Sequence, residues 1–208
     1  MSVAAALRTG AAFAAAAAVG GCASLFGSDA PPTFFVWQDP GKSAPAAQVL
    51  PRTLLVAPTA TATFYDTQRI VFAQDAGTRA YYQLASWTER PGKRFDVLLL
   101  ERLLARNAFA GIAATTSGTR GDLVLSASIL DIYHDNAQQP GVVRLRIAVE
   151  LADRNGRALL ARRTLEQEEP LAAESAAAAV AAFDAAVARM LDELVPWVER
   201  EAAKGRAS

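Results

Sequence analysis

One cysteine, one histidine and two methionines are all that this 208-residue chain holds of the side chains that bind soft metals. A single thiol excludes an intrachain disulfide, and with one imidazole it cannot complete a four-ligand zinc site. An excess of charge is missing too, since 21 basic residues balance 21 acidic ones. No net field therefore selects nucleic acid or an acidic ligand. The longest apolar stretch, near the N-terminus, falls short of the ~20 residues that span a bilayer. What the chain has is apolar mass: 52% of its residues are hydrophobic, enough for one core of roughly 180 residues without covalent staples.

The lone thiol is also the most informative residue. Arg8 supplies a positive start, Ala11 to Val19 is a short apolar run, and small residues precede Cys22, the pattern of a secretory signal. Val19-Gly20-Gly21-Cys22 resembles the lipobox of bacterial lipoproteins, with Gly20 standing where a larger residue is commoner. An ordinary cleaved signal beside an incidental cysteine is the bland alternative. The resemblance implies that residues 1–21 are a lipoprotein signal peptide and that Cys22 becomes an acylated N-terminus, carrying a thioether-linked diacylglyceryl group and a fatty-acyl amide such as palmitate. Several acyl chains make a stable anchor where one does not. Ala23 follows the cysteine where aspartate would resemble an inner-membrane retention signal, so the expected location is the periplasmic leaflet of the outer membrane. Removal of residues 1–21 takes away Arg8 alone and leaves the mature chain within one charge of neutral.

Residues 22–33 lack sustained periodicity and contain Pro31-Pro32, which predicts a tether. Residues 34–200 are expected to be a single α+β domain and residues 201–208 a flexible tail. Phe34 to Trp37 predicts a short first strand, and the Pro-rich stretch from Asp39 to Pro51 a mobile surface loop. Thr53 to Ala57, Gln68 to Ala73 and Thr78 to Leu84 read as strands, the last two as a hairpin. Apolar residues from Phe95 to Leu104 nearly encircle a helical wheel, leaving Asp96, Glu101, Arg102 and Arg106 as the polar minority, which predicts a mostly buried helix.

Leu123 to Tyr133 alternates and then changes phase, so a bulge is expected near Ile129. Val143 to Leu151 alternates cleanly, Asp153-Arg154-Asn155-Gly156 supplies turn chemistry, and Ala158 to Gln167 returns. A three-residue loop with Gly156 left-handed sets Leu151 opposite Leu159, Val149 opposite Ala161, Leu145 opposite Leu165, and Arg144 against Glu166. From Pro170 a long helix presents Val180, Phe183, Val187, Met190, Leu191 and Leu194 along one side, with Pro196 expected to bend it or loosen its last turn. The fold class expected is α+β, a two-layer sandwich: a mixed, mostly antiparallel sheet with two main helices on one face.

Searching for chemistry yields little. His134 could be paired with Asp131 or Asp135 and with Ser126 or Ser128, but no nucleophile elbow is present, and the plainer expectation is a surface histidine near a turn. Ala158 and Thr164 stand where a calcium loop starting at Asp153 needs glycine and glutamate. Val36 stands where a phosphate loop ending in Gly41-Lys42-Ser43 needs its first glycine. The carboxylate pairs Glu168 with Glu169 and Asp192 with Glu193 are expected at a helix start or on its solvated face. Arg144, Arg146, Arg162 and Arg163 could form a local basic patch that meets acidic head groups or a protein partner. Tyr81, Tyr82, Trp87 and Phe72 are expected to cluster and mainly to fill the core under the first helix. No enzymatic activity, cofactor or metal is expected, and the only assigned site is lipid attachment at Cys22.

Several pieces taken together resemble one family. Ile70-Val71-Phe72, Tyr81-Tyr82 and Trp87-x-x-x-Pro91 before a leucine-rich helix, then Asp153-x-x-Gly156 between strands and a long C-terminal helix, resemble the ABC-type transport auxiliary lipoproteins, the family containing the paraquat-inducible lipoprotein component. Phe35-Val36-Trp37 is similar to its first aromatic strand. Ala73 departs from the pattern, where an arginine is more typical. The resemblance implies a non-enzymatic envelope component working beside an ABC permease, its ATPase and a periplasmic substrate-binding protein of mammalian-cell-entry type in moving lipids between membranes, without nucleic acid. A lipoprotein that scaffolds or regulates another envelope machine, such as a cell-wall synthase, is the alternative, and a homo-oligomer is left open.

Overall fold

The computed structural model describes residues 31–137, 140–154 and 158–204. Cys22 with its lipobox, and Gly156 of the expected hairpin turn, lie outside the described residues. Strand β7 (Leu123–Asp135) organises the sheet. Leu123, Leu125, Ala127 and Ile129 face the core, the pairing slips between Ile129 and Asp131, and Ile132 and His134 resume the buried row. The phase change read from the sequence is thus a bulge at the expected place, with Leu130 as its extra residue.

Each edge of β7 is used differently. On one side β8 (Val142–Asp153) pairs antiparallel along its whole length, and β9 (Ala158–Pro170) pairs antiparallel with β8. On the other side three short strands run parallel to it in succession. β2 (Leu50–Val56) lies beside Leu123 to Leu125, β3 (Ala60–Thr61) beside Ser128 and Ile129, and β4 (Arg69–Ala73) beside His134 and Asp135. β6 (Phe109–Ala114) extends the sheet beyond β2. β5 (Ala80–Trp87) forms the expected antiparallel partner of β4, and β1 (Thr33–Phe35) pairs parallel to β5. The two longest ladders, β7–β8 and β8–β9, are antiparallel, so the sheet is mixed and mostly antiparallel, as expected.

The flat two-layer sandwich is corrected: the sheet is an open, curled half-barrel. Bulges in β7, in the β4–β5 pair and in the β2–β6 pair each add local twist and bend. The break of one β7 edge into three separate partners lets the sheet roll around its contents. β3 and β6 have no counterpart in the sequence reading. Two residues show no period, and the Ala and Gly content of Phe-Ala-Gly-Ile-Ala-Ala hides a strand from propensity.

Two helices fill the concave side. α1 (Pro91–Arg106) starts with proline at its first turn and stops at Asn107, whose left-handed backbone (φ 50°, ψ 44°) donates its N–H to Leu103. It buries Phe95, Leu98, Leu99 and Leu103 but leaves Val97 and Leu104 exposed, so the apolar residues of the expected mostly buried helix do not all face the core. α2 (Ala176–Lys204) lies against β8 and β9 and buries the predicted row of Val180, Phe183, Val187, Met190, Leu191 and Leu194. It begins six residues later than predicted, because Pro170 still belongs to β9 and the Ser175 hydroxyl accepts the Ala178 N–H as the helix cap. Pro196 sits inside the helix without ending it.

The β8–β9 register also departs from expectation. Leu151 opposes Ala161, Val149 opposes Arg163, Ile147 opposes Leu165 and Arg144 opposes Glu168, a displacement of two residues. The pairing next to the turn, Ala152 with Leu159, is already displaced by one residue, and a bulge that leaves Leu160 over adds the other. A two-residue displacement preserves the faces, so the core row survives the error.

The segment after β1 is a strap rather than a mobile loop. The Trp37 indole N–H donates to the Phe183 carbonyl (3.0 Å), and its ring packs among Trp87 and Phe95. Asp39 then grips Arg102 through two bonds (2.8 and 2.5 Å), while Asp192 of α2 holds the same guanidinium. Arg102 is only 3% exposed, a buried cation on the helix face read as polar. Farther along, the Ala46 and Leu50 N–H groups donate to the Arg106 and Ala108 carbonyls, and Arg106 reaches both Ala44 and Glu199. A side chain at Gly41 would displace the Arg102 guanidinium from its place against Asp39.

Two predictions follow from the strap. Arg102→Ala leaves the largely buried Asp39 carboxylate, 10% exposed, without its cation, so chemical denaturation should show a loss of about 2–3 kcal/mol. Asp184 accepts the Gln38 N–H (2.8 Å), and burial raises its carboxyl to about 6. Its native form therefore binds more protons than the unfolded chain between about 4 and 6, and stability falls as pH rises through that window. Asp184→Asn should flatten that fall and raise stability at pH 7 by on the order of 1 kcal/mol, allowing for solvent screening. Thermal melts of both proteins across this range check the sign.

Candidate docking surface

The outer face of β7, β8 and β9 carries a ladder of ion pairs. Arg146 meets Asp131 (2.5 Å), Arg144 bridges Asp135 (2.8 Å) and Glu168, and Arg162 meets Glu150 (2.6 Å). Arg163 turns the other way, to Glu193 of α2 (3.1 Å). The expected basic patch is therefore corrected: a carboxylate neutralises each of its four arginines. Burial by itself would raise the Asp135 carboxyl, but Arg144 and the Ala137 N–H hold it below the usual carboxylate range. Exposed pairs of this kind add little stability. Their value is a fixed pattern of sign along a groove of about 300 Å³ lined by Asp131, Tyr133, Arg144, Arg146, Glu166 and Glu168.

Beside this groove lies an aromatic and arginine cluster. Phe64 stacks on Tyr81 (4.9 Å between centroids), Tyr65 faces Tyr133 (6.5 Å), Arg79 covers Tyr133 (3.6 Å) and Arg69 covers Tyr81 (4.5 Å). The Arg79 guanidinium donates to the Tyr65 hydroxyl (2.9 Å), which in turn donates to Asp131 (3.0 Å). This chain joins the cluster to the ladder. Burial is the main cause that raises the Tyr65 hydroxyl, which stays protonated and able to donate. Phe64 is 42% exposed. Tyrosine and arginine held at fixed geometry are the side chains that dominate protein interfaces.

Of this cluster the sequence reading singled out Tyr81 alone. The signal available for Tyr133 and Asp131 was the phase change in β7, which turns them to the polar face. Of the other expected cluster members only Trp87 separates, joining Trp37 and Phe183 in the core, while Phe72 and Tyr82 pair with one another (5.2 Å) and line a hollow with Tyr81.

His134 is 4% exposed, which corrects the expected surface histidine. Its Nδ1 shares a 2.7 Å hydrogen bond with the Tyr82 hydroxyl, and desolvation lowers its basicity. No catalytic grouping surrounds it. Ser126 and Ser128 lie eight and six residues away on the same strand, roughly 20 Å or more, and Asp131 and Asp135 are occupied by Arg146 and Arg144.

One acidic pair lies where it was expected, Asp192 and Glu193 on the exposed face of α2, and the other does not. Glu168 and Glu169 end β9 rather than start a helix, and the buried Glu169 meets Arg189 (2.9 Å). Asp192 holds Arg102, and Glu193 accepts from Arg163 and Gln167. Among the described residues no three His, Cys, Asp or Glu side chains are grouped to hold a metal ion, and no helix is long and apolar enough to cross a membrane.

Residues 37–195 match the family described as ABC-type transport auxiliary lipoprotein component. The chain is 29% identical over 160 residues to protein bll6063 of Bradyrhizobium diazoefficiens, covering 76% of this chain. It spans 42% of that relative's length. The crystal structure of protein XCC0632 from Xanthomonas campestris shares the fold with a TM-score of 0.78 at 21% identity, over 85% of this chain and all of that one. Protein CT253 from Chlamydia trachomatis is more distant, with a TM-score of 0.53 at 12% identity over 72% of this chain and 96% of that one. A match that runs from the Trp37 strap into the last turns of α2 covers most of the sequence, and the chain belongs to the ABC-type transport auxiliary lipoprotein family, whose members are non-catalytic accessory components.

Proposed function

We propose that this protein is a lipid-anchored accessory component of an ABC-driven system that moves lipids between membranes. Cys22 carries the acyl chains and holds the domain at the periplasmic leaflet of the outer membrane. The domain docks on the periplasmic component, a substrate-binding protein of mammalian-cell-entry type, and through it works with the permease and ATPase. The observation that carries this reading is the family match over residues 37–195. The lipobox-like Val19-Gly20-Gly21-Cys22 supports the anchor, and the Phe64, Tyr65, Tyr81 and Tyr133 cluster with its arginines supports docking by a rigid surface.

The protein works by position and grip. Energy comes from the distant ATPase, since the chain has no phosphate-binding loop of its own. The ion-pair ladder fixes the orientation of a partner more than it sets affinity, because rim charges act mainly on encounter and register. Aromatic groups at the centre supply the affinity.

Affinity purification of the acylated protein from membranes tests the reading. The permease, ATPase and periplasmic binding component should co-purify, and Tyr81→Ala or Arg79→Ala should reduce their recovery about tenfold while leaving the fold intact. Cys22→Ser should release the chain from the membrane fraction into the soluble periplasm, as fractionation and intact-mass measurement would show. Recovery of cell-wall synthesis proteins in place of transporter components would replace this reading with a scaffolding one. An unmodified Cys22 thiol would remove the anchor.

A further inference from the structure

Three large apolar side chains stand in solvent where the chain enters the sheet. Phe35 is half-buried and Trp37 buried, so by strand alternation Phe34 and Val36 point the other way, and they are 62% and 42% exposed. Parallel pairing sets Phe34 against Ser86 of β5. Two residues from Ser86, where the β4–β5 register shifts between the Arg69–Ser86 and Val71–Tyr81 pairs, Leu84 is 43% exposed. Phe34, Val36 and Leu84 thus form one apolar patch on the outer face of β1 and β5.

Single exposed apolar residues are ordinary, but this patch is set apart by its place in the chain. Phe34 follows Cys22 by twelve residues, so no conformation of the intervening chain carries it more than about 40 Å from that residue. A short link of this kind raises the effective concentration of a weak contact to about the millimolar range. A patch too small to hold the protein by itself is then enough to orient it.

The chemistry of the patch suits lipid. It has no fixed pattern of sign, unlike the ladder on β7, β8 and β9, and a fluid surface offers no such pattern to read. At its border stands Arg69, which opposes Ser86, is exposed, and makes no ion pair among the described residues. Apolar side chains with a cation at their rim are what an interfacial surface presents, the apolar groups entering the head-group layer and the cation meeting phosphate.

We propose that Phe34, Val36 and Leu84 rest in the head-group layer of the membrane that anchors Cys22, with Arg69 on lipid phosphate at the rim. The contact rests on acylation of Cys22. It decides which face of the domain looks at the bilayer. Because Arg69 also covers Tyr81 (4.5 Å), the same contact sets the aromatic docking cluster beside the membrane, where its outer side is open to a periplasmic partner.

Nitroxide depth measurements on the processed, acylated chain test the contact. Cys22 is the only cysteine, and once it is acylated Phe34→Cys supplies the single thiol for a label. In vesicles of phosphatidylethanolamine with a minor fraction of phosphatidylglycerol, that label should collide more with oxygen and less with a water-soluble nickel chelate than one at Leu159→Cys, an exposed apolar position (53%) at the start of β9. Its expected depth is about 5–10 Å below the head-group surface. Adding Leu84→Glu should return the label at position 34 to the collision rates seen at position 159, with an unchanged thermal melt because both sites are exposed. An acylated chain whose label at 34 keeps the collision rates of water, loses collisions with both reagents as a protein interface would impose, or ignores Leu84→Glu would overturn the contact and leave the anchor standing. A second label taken up by Cys22 would remove the anchor and the contact together.

Discussion

A single strand has to serve one continuous partner on one edge and three separate ones on the other, and the bulge at Leu130 is the constraint that allows it. Before the bulge β7 buries odd-numbered residues, and after it even-numbered ones, so its core row continues as the strand turns with the curl of the sheet. The same slip puts Asp131 and Tyr133 outside, where they meet Arg146, Tyr65 and Arg79. Without the extra residue the buried row of β7 would turn outward beyond Ile129.

The second organising contact is the strap from Trp37 to Leu50. It is irregular backbone, yet it is fastened at Trp37, Asp39, Ala44, Ala46 and Leu50, and most of these bonds reach a helix. Arg102 is central because its planar fork can be gripped by two carboxylates from different elements at once. Composition described this stretch as a loop, and in backbone terms it is one. Tertiary bonds, absent from any local pattern, make it part of the frame.

Among the described residues, the histidine and acids that sequence reading considered for chemistry are engaged by other side chains. The one histidine is buried against Tyr82, the acids near it are paired with arginines, and the aromatics are divided between core and surface. What remains open to partners is a patterned outer face and the apolar patch on β1 and β5. Both suit a component that acts by being held in place and by holding others, in line with the auxiliary family to which it belongs.

Periodicity determined the main elements of this protein: the alternation of Val143 to Leu151, the phase change in β7, and the spacing of Val180 to Leu194 each report a buried face directly. The sparse cysteine and histidine content excluded disulfides and zinc, and the sequence around Cys22 carried the expectation of a lipid anchor. Tertiary structure alone decided the curl of the sheet, the existence of β3 and β6, the burial of Arg102 and His134, and the β9 register. The physical reason is range. A periodic pattern records which side of an element meets apolar surroundings, whereas an ion pair such as Arg102 with Asp39, 63 residues apart, depends on where two distant segments come to rest.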